Sequence, residues 1–423
     1  MGTRQEPKGG AGRVRAAGGG RVSGRGHLLV GQSGGPTAVI NASLVGVIDE
    51  ARRHEGIGTL YGARFGVLGL RRDDYLVDLG RLSGQELAQL RHTPSAALGS
   101  SRTMLADSDV DRIFQILRAR EIRFFFFIGG NGSAQTALRV HRHAVAQGYD
   151  LRVVAIPKTI DNDLVETDHC PGHPSVARWL AVSVREAGLD TEAIGTADPV
   201  KVIETMGRDT GWVTASTALA RASDGDAPHL IYLPERPFST ARFLSDVERV
   251  YQERGHVVIA ACEGLTDENG KFLTASTRAV EADPLGRPQL GGVGATLCDL
   301  VMTHLKIKAR FDKPGTVQRV SATLTSTIDA DEAYEVGRAA VREAIAGRSG
   351  LMITLIRESG PAYRSTTGTV PLEQIVGHVR RFPDAFIAPS GHDVTAAYLD
   401  YIRPLVGALP DYARLFPSPK IPK

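Results

Sequence analysis

The sequence predicts an α/β fold with largely parallel sheets, in a chain of 423 residues that is long enough for two domains of ordinary size. Strand-like apolar runs alternate with helical patterns along the chain, an order typical of parallel sheets covered by helices. The clearest run, 124–128, is apolar at every position and therefore indicates a strand buried on both faces. It ends on Gly129 and Gly130, after which we expect a helix with Ser133 as a candidate N-cap.

The remaining elements follow from the same two patterns. Residues 27–30 predict a strand and 38–50 a helix, and 110–120 predict another helix from the i, i+3, i+4, i+7 spacing of their apolar side chains. Further helices are predicted at 134–146, 214–222, 240–254, 292–304 and 330–346. Further strands are predicted at 153–156, 200–205, 229–233, 257–261 and 352–356.

Composition is that of a water-soluble globular protein, with 42% hydrophobic and 23% charged residues. Cys170, Cys262 and Cys298 lie far apart without metal-ligand spacing, so we expect no disulfides and a cytoplasmic location. Cys262 and Cys298 stand in apolar runs and are predicted to be small core residues. The chain has no apolar stretch of the roughly 18 residues that would span a bilayer, so we expect no membrane partner.

Residues 1–26 form a glycine-rich segment with six basic residues and one acidic residue. We expect a disordered basic leader, because the segment cannot bury enough apolar surface to order itself, and it lacks the apolar core of a signal peptide. An arm that binds nucleic acid or a membrane is the alternative. Without the segment the net charge falls from +3 to −2, which argues against nucleic acid as the main partner.

Two strand ends carry groups suited to phosphate chemistry. The glycine turn after 124–128 would present backbone N–H groups and the positive end of a helix dipole to an anion. The strand 153–156 leads into the heptad PKTIDND (157–163), which brings Lys158, Asp161 and Asp163 to the same edge of the sheet. Together these groups predict phosphoryl transfer, with Asp161 as general base and Asp163 as a Mg²⁺ ligand or a partner of Asp161. Alternatively, the two aspartates are turn formers that cap the next helix.

Five motifs resemble those of the phosphofructokinase family, and their order and spacing fit from residue 27 to about residue 320. Residues 31–42 resemble the first glycine loop, and 98–102 resemble the nucleotide-side arginine turn. The heptad 157–163 is the most specific motif. Residues 206–208 are similar to the sugar-phosphate motif, and 318–319 to the late basic motif.

The resemblance implies a 6-phosphofructokinase, which transfers a phosphoryl group to the 1-hydroxyl of fructose 6-phosphate and gives fructose 1,6-bisphosphate. It implies two doubly wound, largely parallel-sheet α/β domains with the active site in the cleft between them. The donor-phosphate domain would comprise 27–171 and about 319–385, and the sugar-phosphate domain 172–318 and about 386–423. Mg²⁺ and a homodimer or homotetramer are also implied.

The resemblance assigns roles to individual residues. The expected catalytic residues are Asp161, Lys158 and Arg208. The expected donor-binding residues are Gly34, Ser101, Arg102, Gly130, Asn131, Gly132 and Ser133. The expected substrate-binding residues are Thr159, Ile160, Asp161, Met206, Gly207, Arg208, Glu263, Arg310 and Arg319. The expected metal ligands are Asn131 and Asp163. His169 and His173, just after the heptad, are predicted to scaffold the loop rather than to carry protons.

Three positions depart from the family pattern. Asn131 replaces the usual aspartate after Gly-Gly, and an amide binds Mg²⁺ less well than a carboxylate. Metal binding would then depend more on Asp161, Asp163 and the donor's own oxygens. Pro199 and Thr316 stand where the family often has an arginine and a histidine, so contacts with the 6-phosphate would differ.

The sequence leaves two alternatives for the phosphoryl donor, ATP and pyrophosphate. Gly132 would leave room for the α-phosphate of ATP, where pyrophosphate users carry an aspartate. Lys158 resembles the lysine of pyrophosphate users, which neutralises the leaving phosphate. We favour ATP, because an aspartate at 132 would exclude ATP whereas a lysine can serve either donor; pyrophosphate is the alternative.

Three other classes of protein fit the sequence less well. NAD or lipid kinases with a Gly-Gly-Asp-Gly loop are not expected to carry both PKTIDND and a later Met-Gly-Arg. A dinucleotide-binding oxidoreductase is excluded because no Gly-x-Gly-x-x-Gly follows the first strand. A catalytically silent regulatory subunit is the alternative of another class, since Asn131, Pro199 and Thr316 depart from the family pattern.

Overall fold

The structure, a computed structural model, describes residues 25–101, 103, 105–275 and 288–415. Its strands are β1 (Gly26–Gln32), β2 (Ile57–Ala63), β3 (Leu76–Asp78), β4 (Ile122–Gly129), β5 (Arg152–Pro157), β6 (Val200–Thr205), β7 (Leu230–Tyr232), β8 (Val257–Cys262), β9 (Ala309–Asp312), β10 (Leu351–Arg357) and β11 (Ser365–Pro371). Its helices are α1 (Ile40–Ala51), α2 (Val67–Leu70), α3 (Gly84–Arg91), α4 (Asp107–Ala119), α5 (Asn131–Ala146), α6 (His173–Ala193), α7 (Trp212–Ala215), α8 (Thr240–Arg254), α9 (Val293–Leu300), α10 (Val317–Val320), α11 (Thr327–Ile345) and α12 (Ala396–Val406).

The strands form two sheets. The larger has the order β11-β10-β5-β4-β1-β2-β3 and is parallel except for its two edge strands, β3 and β11. The smaller has the order β7-β8-β6-β9, and all its pairs are parallel. The predicted α/β fold with two largely parallel sheets is therefore confirmed.

The central strand β4 explains why the larger sheet is covered by helices on both faces. Phe125 and Phe127 pack into one core with α4 and α5, whereas Phe124 and Phe126 pack into the opposite core with α1 and α11. All four side chains are at most 1% exposed. The uninterrupted apolar run is thus needed, because both faces of this strand exclude water.

The chain reaches the smaller sheet through the long helix α6 and returns through α10 and α11. Segments 26–157 and 351–371 supply the larger sheet, and 200–312 supplies the smaller one. The C-terminal helix α12 packs with α6, and both contribute to a core that includes Trp212. The domain boundaries given above stay a prediction.

Several local expectations are corrected. Helix α5 begins at Asn131 with Gly130 as its N-cap residue, so Ser133 lies in the first turn and is not the N-cap. The helix predicted over 214–222 is the short α7 followed by a 3₁₀ turn, and the one over 292–304 ends in a π-helical turn at Val301–Leu305. Cys262 and Cys298 are buried and free, as predicted.

Two expectations concern the ends and the membrane. Of the predicted leader, only Arg25 and Gly26 are described, and Gly26 already belongs to β1; residues 1–24 lie outside the described residues. Within the described ranges, no helix is both long enough and apolar enough to cross a membrane.

Candidate active site

A cleft of about 960 Å³ lies where the carboxyl ends of strands from both sheets meet. The segments that follow β1, β4 and β5 line it on one side, and those that follow β6 and β8 line it on the other. This is the place where open parallel sheets bind ligands. Most of the residues assigned by resemblance line it: Gly34, Ser101, Gly130, Asn131, Gly132, Ser133, Lys158, Thr159, Ile160, Asp161, Asp163, Met206, Gly207, Arg208, Glu263 and Arg319.

The side of the cleft predicted to bind the phosphoryl donor consists of the first glycine loop and the N-terminus of α5. The first N–H groups of a helix have no intrahelical acceptor, so this end of α5 can bind an anion. A Cβ added to Gly132 would have no heavy atom within 4 Å, so the cleft is open at this position. The hydroxyl of Ser101 is buried and has no hydrogen-bond partner within the described ranges. Arg102, also expected here, lies outside the described residues.

Lys158 joins the glycine loop to the end of β5. Its side chain is buried, and Nζ donates hydrogen bonds to the carbonyls of Ser33 (2.8 Å) and Gly35 (2.6 Å). Burial, and next the neighbouring Arg319, lower the pKa of Lys158 to about 7. Arg319 lies against the same loop, since its Nη1 is 3.0 Å from where a Cβ on Gly35 would stand. Two cationic side chains therefore flank the first glycine loop.

Asp161 and Asp163 are both half-buried and line the cleft. Burial, the charge of Asp163 and that of Glu263 raise the pKa of Asp161, and burial also raises the pKa of Asp163. Asn131 donates from Nδ2 to the Asp163 carboxylate (2.9 Å). Perturbed carboxylates in a cleft are typical of functional sites.

The residue between the two aspartates shapes this turn. Asn162 has a left-handed backbone conformation, with φ of +53°, and its side chain is buried away from the cleft. Its Oδ1 accepts a hydrogen bond from the Cys170 N–H (2.9 Å), and its Nδ2 donates to the Tyr401 hydroxyl (3.1 Å). The turn thus leaves Asp161 and Asp163 lining the cleft on either side of it.

The side of the cleft predicted to bind the acceptor carries a carboxylate, Glu263, and an arginine, Arg208. The Gly207 N–H donates to Glu263 Oε1 (3.4 Å), and burial raises the pKa of Glu263. Arg208 donates from Nη2 to the Pro288 carbonyl (2.5 Å). The Thr210 hydroxyl donates to the main-chain oxygen of Asp161 (3.1 Å), which links the segment after β6 directly to the loop between β5 and α6 that carries Asp161 and is the expected catalytic loop.

The structure does not bring Arg310 together with the other acceptor residues. Arg310 pairs across β9 and β6 with Lys201, near the start of β6, whereas the cleft lies beyond the end of β6. Its guanidinium is 2.8 Å from Asp198. Instead, Lys313 lines the cleft, 3.0 Å from the buried carboxylate of Glu204.

Sequence reasoning missed other parts of the cleft. Gln289, Leu290, Lys313 and the segment Val376–Val379 line it. Gln318, expected in the late basic motif, accepts the Met206 N–H at 3.1 Å and so supports the acceptor segment. No pattern in the sequence marks 376–379, because these residues reach the cleft only through the return of the chain after β11.

The two histidines after the heptad are structural, as predicted. His173 is the first residue of α6, and its Nδ1 is 3.0 Å from the Ile160 carbonyl; burial lowers its pKa to about 3. His169 lies between Asp168 (2.9 Å) and Glu332 (2.7 Å). Despite its burial, these two carboxylates raise the pKa of His169 to about 9. Both rings are fully buried and neither lines the cleft.

The side chains near Asp163 fit a magnesium ion. Asn131 Oδ1 is buried without a hydrogen-bond partner in the part of the chain that the structure describes, beside the Asp163 carboxylate. In the same ranges, no cluster of three or more His, Cys, Asp or Glu side chains is arranged to hold a metal alone. Mg²⁺ typically binds one or two carboxylates and completes its shell with waters and substrate phosphates, which is compatible with ligation by Asn131 Oδ1 and Asp163.

Comparison with known proteins gives the family. The phosphofructokinase family model matches residues 27–344. The chain belongs to the phosphofructokinase family. The prediction of a phosphotransferase acting on an alcohol group is thereby confirmed, and this favours an enzyme over a silent regulatory subunit.

Individual family members resemble the chain over most of its length. It is 42% identical to a pyrophosphate–fructose 6-phosphate 1-phosphotransferase of Rhodospirillum rubrum, over 92% of this chain and 97% of that protein. It is 41% identical to the enzyme of the same name from Xanthomonas campestris pv. campestris, over 90% and 91%. A pyrophosphate-dependent phosphofructokinase structure from Nitrosospira multiformis superposes with a TM-score of 0.83 at 34% identity, covering 93% of this chain and 95% of that one. These relatives do not support the expectation of ATP as donor.

Proposed function

We propose that the protein is a pyrophosphate–fructose 6-phosphate 1-phosphotransferase. The 1-hydroxyl oxygen of fructose 6-phosphate forms a bond to one phosphorus of pyrophosphate, the bridging P–O bond breaks, and inorganic phosphate leaves. The proton of the hydroxyl passes to Asp161. The observation that carries this proposal is the convergence of Lys158, Asp161 and the N-terminus of α5 at one edge of the larger sheet.

Two cations beside the glycine loop support pyrophosphate as donor. Lys158 and Arg319 concentrate positive charge at Gly35, where a departing phosphate would carry its negative charge. Two relatives, 42% and 41% identical to the chain, are named pyrophosphate–fructose 6-phosphate 1-phosphotransferases. Gly132 does not oppose this assignment, because the open space beside it requires no nucleotide.

Asp161 has the properties of a general base. Its raised pKa makes its ionised form a stronger proton acceptor than an exposed aspartate, and a base is most effective when its pKa lies near the working pH. Thr210 and Thr159 hold its main chain, since Thr210 donates to its oxygen and Thr159 Oγ1 accepts its N–H (3.1 Å). The carboxylate is therefore positioned before substrate arrives.

The acceptor would bind across the cleft from the donor. Arg208 supplies a guanidinium suited to bidentate contact with the 6-phosphate, and Glu263 supplies a carboxylate for sugar hydroxyls. Asn131 and Asp163, with Asp161 nearby, would hold Mg²⁺, which supplies charge neutralisation to the donor oxygens. The oligomeric state, dimer or tetramer, stays a prediction.

One assay tests the reaction and its donor. Formation of fructose 1,6-bisphosphate from fructose 6-phosphate is measured with pyrophosphate and with ATP in parallel, at equal concentrations with Mg²⁺. We expect turnover with pyrophosphate and far slower turnover with ATP. Turnover with ATP alone would overturn the donor, and turnover with neither would overturn the proposed function.

A variant tests the catalytic role. Asp161→Asn removes the proton acceptor while keeping the shape of the side chain, so turnover should fall by roughly two to four decades. Binding of fructose 6-phosphate and the melting temperature should change little. Turnover within threefold of wild type would contradict the assignment of Asp161.

A further inference from the structure

Arg380 holds the catalytic loop from the side that faces away from the cleft. It lies after β11, and its guanidinium donates to three main-chain oxygens: Nε to Asn162 (3.0 Å), and Nη1 to Thr167 (2.7 Å) and Asp168 (2.6 Å). Its own N–H donates to the main-chain oxygen of Asp163 (2.8 Å). One residue thus satisfies four carbonyls of the loop between β5 and α6.

The carbonyl of Asn162 is the critical one of the four. Asn162 is the left-handed residue between Asp161 and Asp163, and a non-glycine residue persists in that conformation where its surroundings enforce it. Arg380 binds the main chain of Asn162, while Cys170 and Tyr401 bind its side chain. The orientation of Asp161 and Asp163 therefore depends on contacts on the side of the turn that faces away from the cleft.

The same arginine contacts the acceptor side. Its guanidinium carbon lies 4.7 Å from the centre of the Trp212 ring, and Trp212 Nε1 donates to the Arg380 carbonyl (3.2 Å). Trp212 begins α7, two residues after Thr210, whose hydroxyl binds the main chain of Asp161. Arg380 thus lies between the catalytic loop and the segment that carries Arg208.

Arg380 does not line the cleft itself, although the residues just before it, 376–379, do. It cannot contact the reacting atoms directly and would act only through the loop. Lysine could not replace it, because a single ammonium group lacks the planar set of donors that reaches several carbonyls at once.

We infer that Arg380 is a positioning residue, which keeps Asp161 and Asp163 in the geometry needed for phosphoryl transfer; the inference rests on the proposed function. Displacement of a catalytic group by about 1 Å can cost a hundredfold in rate. Loss of the Arg380 contacts should therefore lower kcat and leave the KM values of both substrates nearly unchanged.

The test compares Arg380→Met and Arg380→Lys with two control variants. Arg381→Met removes the exposed neighbouring arginine. Arg221→Met removes an equally half-buried arginine that donates to the Pro228 carbonyl (2.7 Å) and to Asp393 (2.9 Å), away from the cleft. Steady-state kinetics with pyrophosphate, melting temperature and hydrogen–deuterium exchange of peptides covering 158–170 are measured for all four.

We expect kcat to fall roughly tenfold to a hundredfold in both Arg380 variants, with faster exchange in 158–170, while both controls keep wild-type kcat. If Arg221→Met lowers the melting temperature as much as Arg380→Met and keeps its kcat, general destabilisation is ruled out as the cause. Wild-type kcat and exchange in a folded Arg380→Met would overturn the inference, as would an equal loss of kcat in Arg221→Met. If the wild type itself shows no turnover, the proposed function fails. Unchanged exchange of residues 158–170 in Arg380→Met would separately refute the anchoring of the loop by Arg380.

Discussion

At the scale of the residue, burial makes the charge of Lys158 depend on what occupies the cleft. An exposed lysine has a pKa of about 10.4, whereas that of Lys158 is lowered to about 7 by its enclosure and by Arg319. Among the described residues, its Nζ donates hydrogen bonds to the uncharged carbonyls of Ser33 and Gly35, and Asp161 and Asp163 act on it through their charge. A bound polyanion would supply the missing negative charge and favour the protonated amine.

The lowered pKa of Lys158 predicts how the affinity for pyrophosphate changes with pH. Below pH 7 the free enzyme carries Lys158 protonated; above it the amine is neutral and attracts pyrophosphate less. We therefore expect the affinity for pyrophosphate to fall as pH rises through about 7, relative to Lys158→Met, in which this step is absent. Calorimetric titration of both proteins across that range checks it, since ionisation of pyrophosphate itself affects both equally. Parallel affinity profiles would contradict the prediction.

At the scale of the element, a buried histidine fastens the end of the catalytic loop to α11. His169 lies between Asp168, at the end of the loop, and Glu332, on α11. The Tyr363 and Ser365 hydroxyls each donate to Glu332 (2.5 Å), and Arg357 of β10 pairs with Asp168 (3.0 Å). The loop is thus connected to α11 through the protonated ring of His169, to β10 through Arg357 and Asp168, and to β11 through Ser365 and Glu332.

The contacts of His169 with Asp168 and Glu332 predict how the free energy of unfolding changes with pH. The pKa of His169 is about 9 when folded and about 6.5 when unfolded. Its contribution is therefore complete below pH 6.5 and is lost as pH rises through 9. Urea unfolding of wild type should show this decline, and His169→Gln should flatten it. His229→Gln is the control, because burial lowers the pKa of His229 to about 4 and it stays neutral throughout that range. If the free energy of unfolding of His169→Gln declines with pH as steeply as that of wild type, this role of His169 is refuted.

The elements also separate what the sequence can predict from what it cannot. Strands β4 and β8 are predictable because each contains a short, uninterrupted apolar run. Helix α6 was missed because it is buried on several faces and so lacks a one-sided apolar stripe. The prediction of Ser133 as N-cap is wrong because the helix begins two residues earlier, at Asn131, with Gly130 as its N-cap residue.

At the scale of the whole molecule, the sequence motifs predict residues that line the cleft but not the residues that hold them in position. Lys158, Asp161 and Arg208 follow strand ends, and strand ends converge in any parallel sheet, so their meeting was predictable. Arg310 lies outside the cleft of this chain because it pairs with Lys201 near the start of β6, whereas Lys313 follows the end of β9 and lines the cleft. The contact of Arg380 with Asn162 spans 218 residues, and no local pattern encodes such a pairing.

The division of the cleft between two sheets predicts that its halves can be impaired separately. Arg208 follows β6 of the smaller sheet, whereas the first glycine loop and α5 belong to the larger one. Removing the guanidinium in Arg208→Met should weaken fructose 6-phosphate binding by about 2 kcal/mol, roughly thirtyfold, because the 6-phosphate loses a charge-assisted hydrogen bond.

Pyrophosphate affinity should change less than threefold in Arg208→Met, since its contacts lie across the cleft. Equilibrium binding of each substrate alone, measured by calorimetry on wild type and variant, separates the two effects without relying on turnover. Arg236→Met, which removes a surface arginine paired with Asp384 (2.8 Å) outside the cleft, serves as the control and should match wild type for both ligands. A loss of pyrophosphate binding with fructose 6-phosphate binding intact would place Arg208 on the donor half and reverse the orientation of both substrates in the cleft.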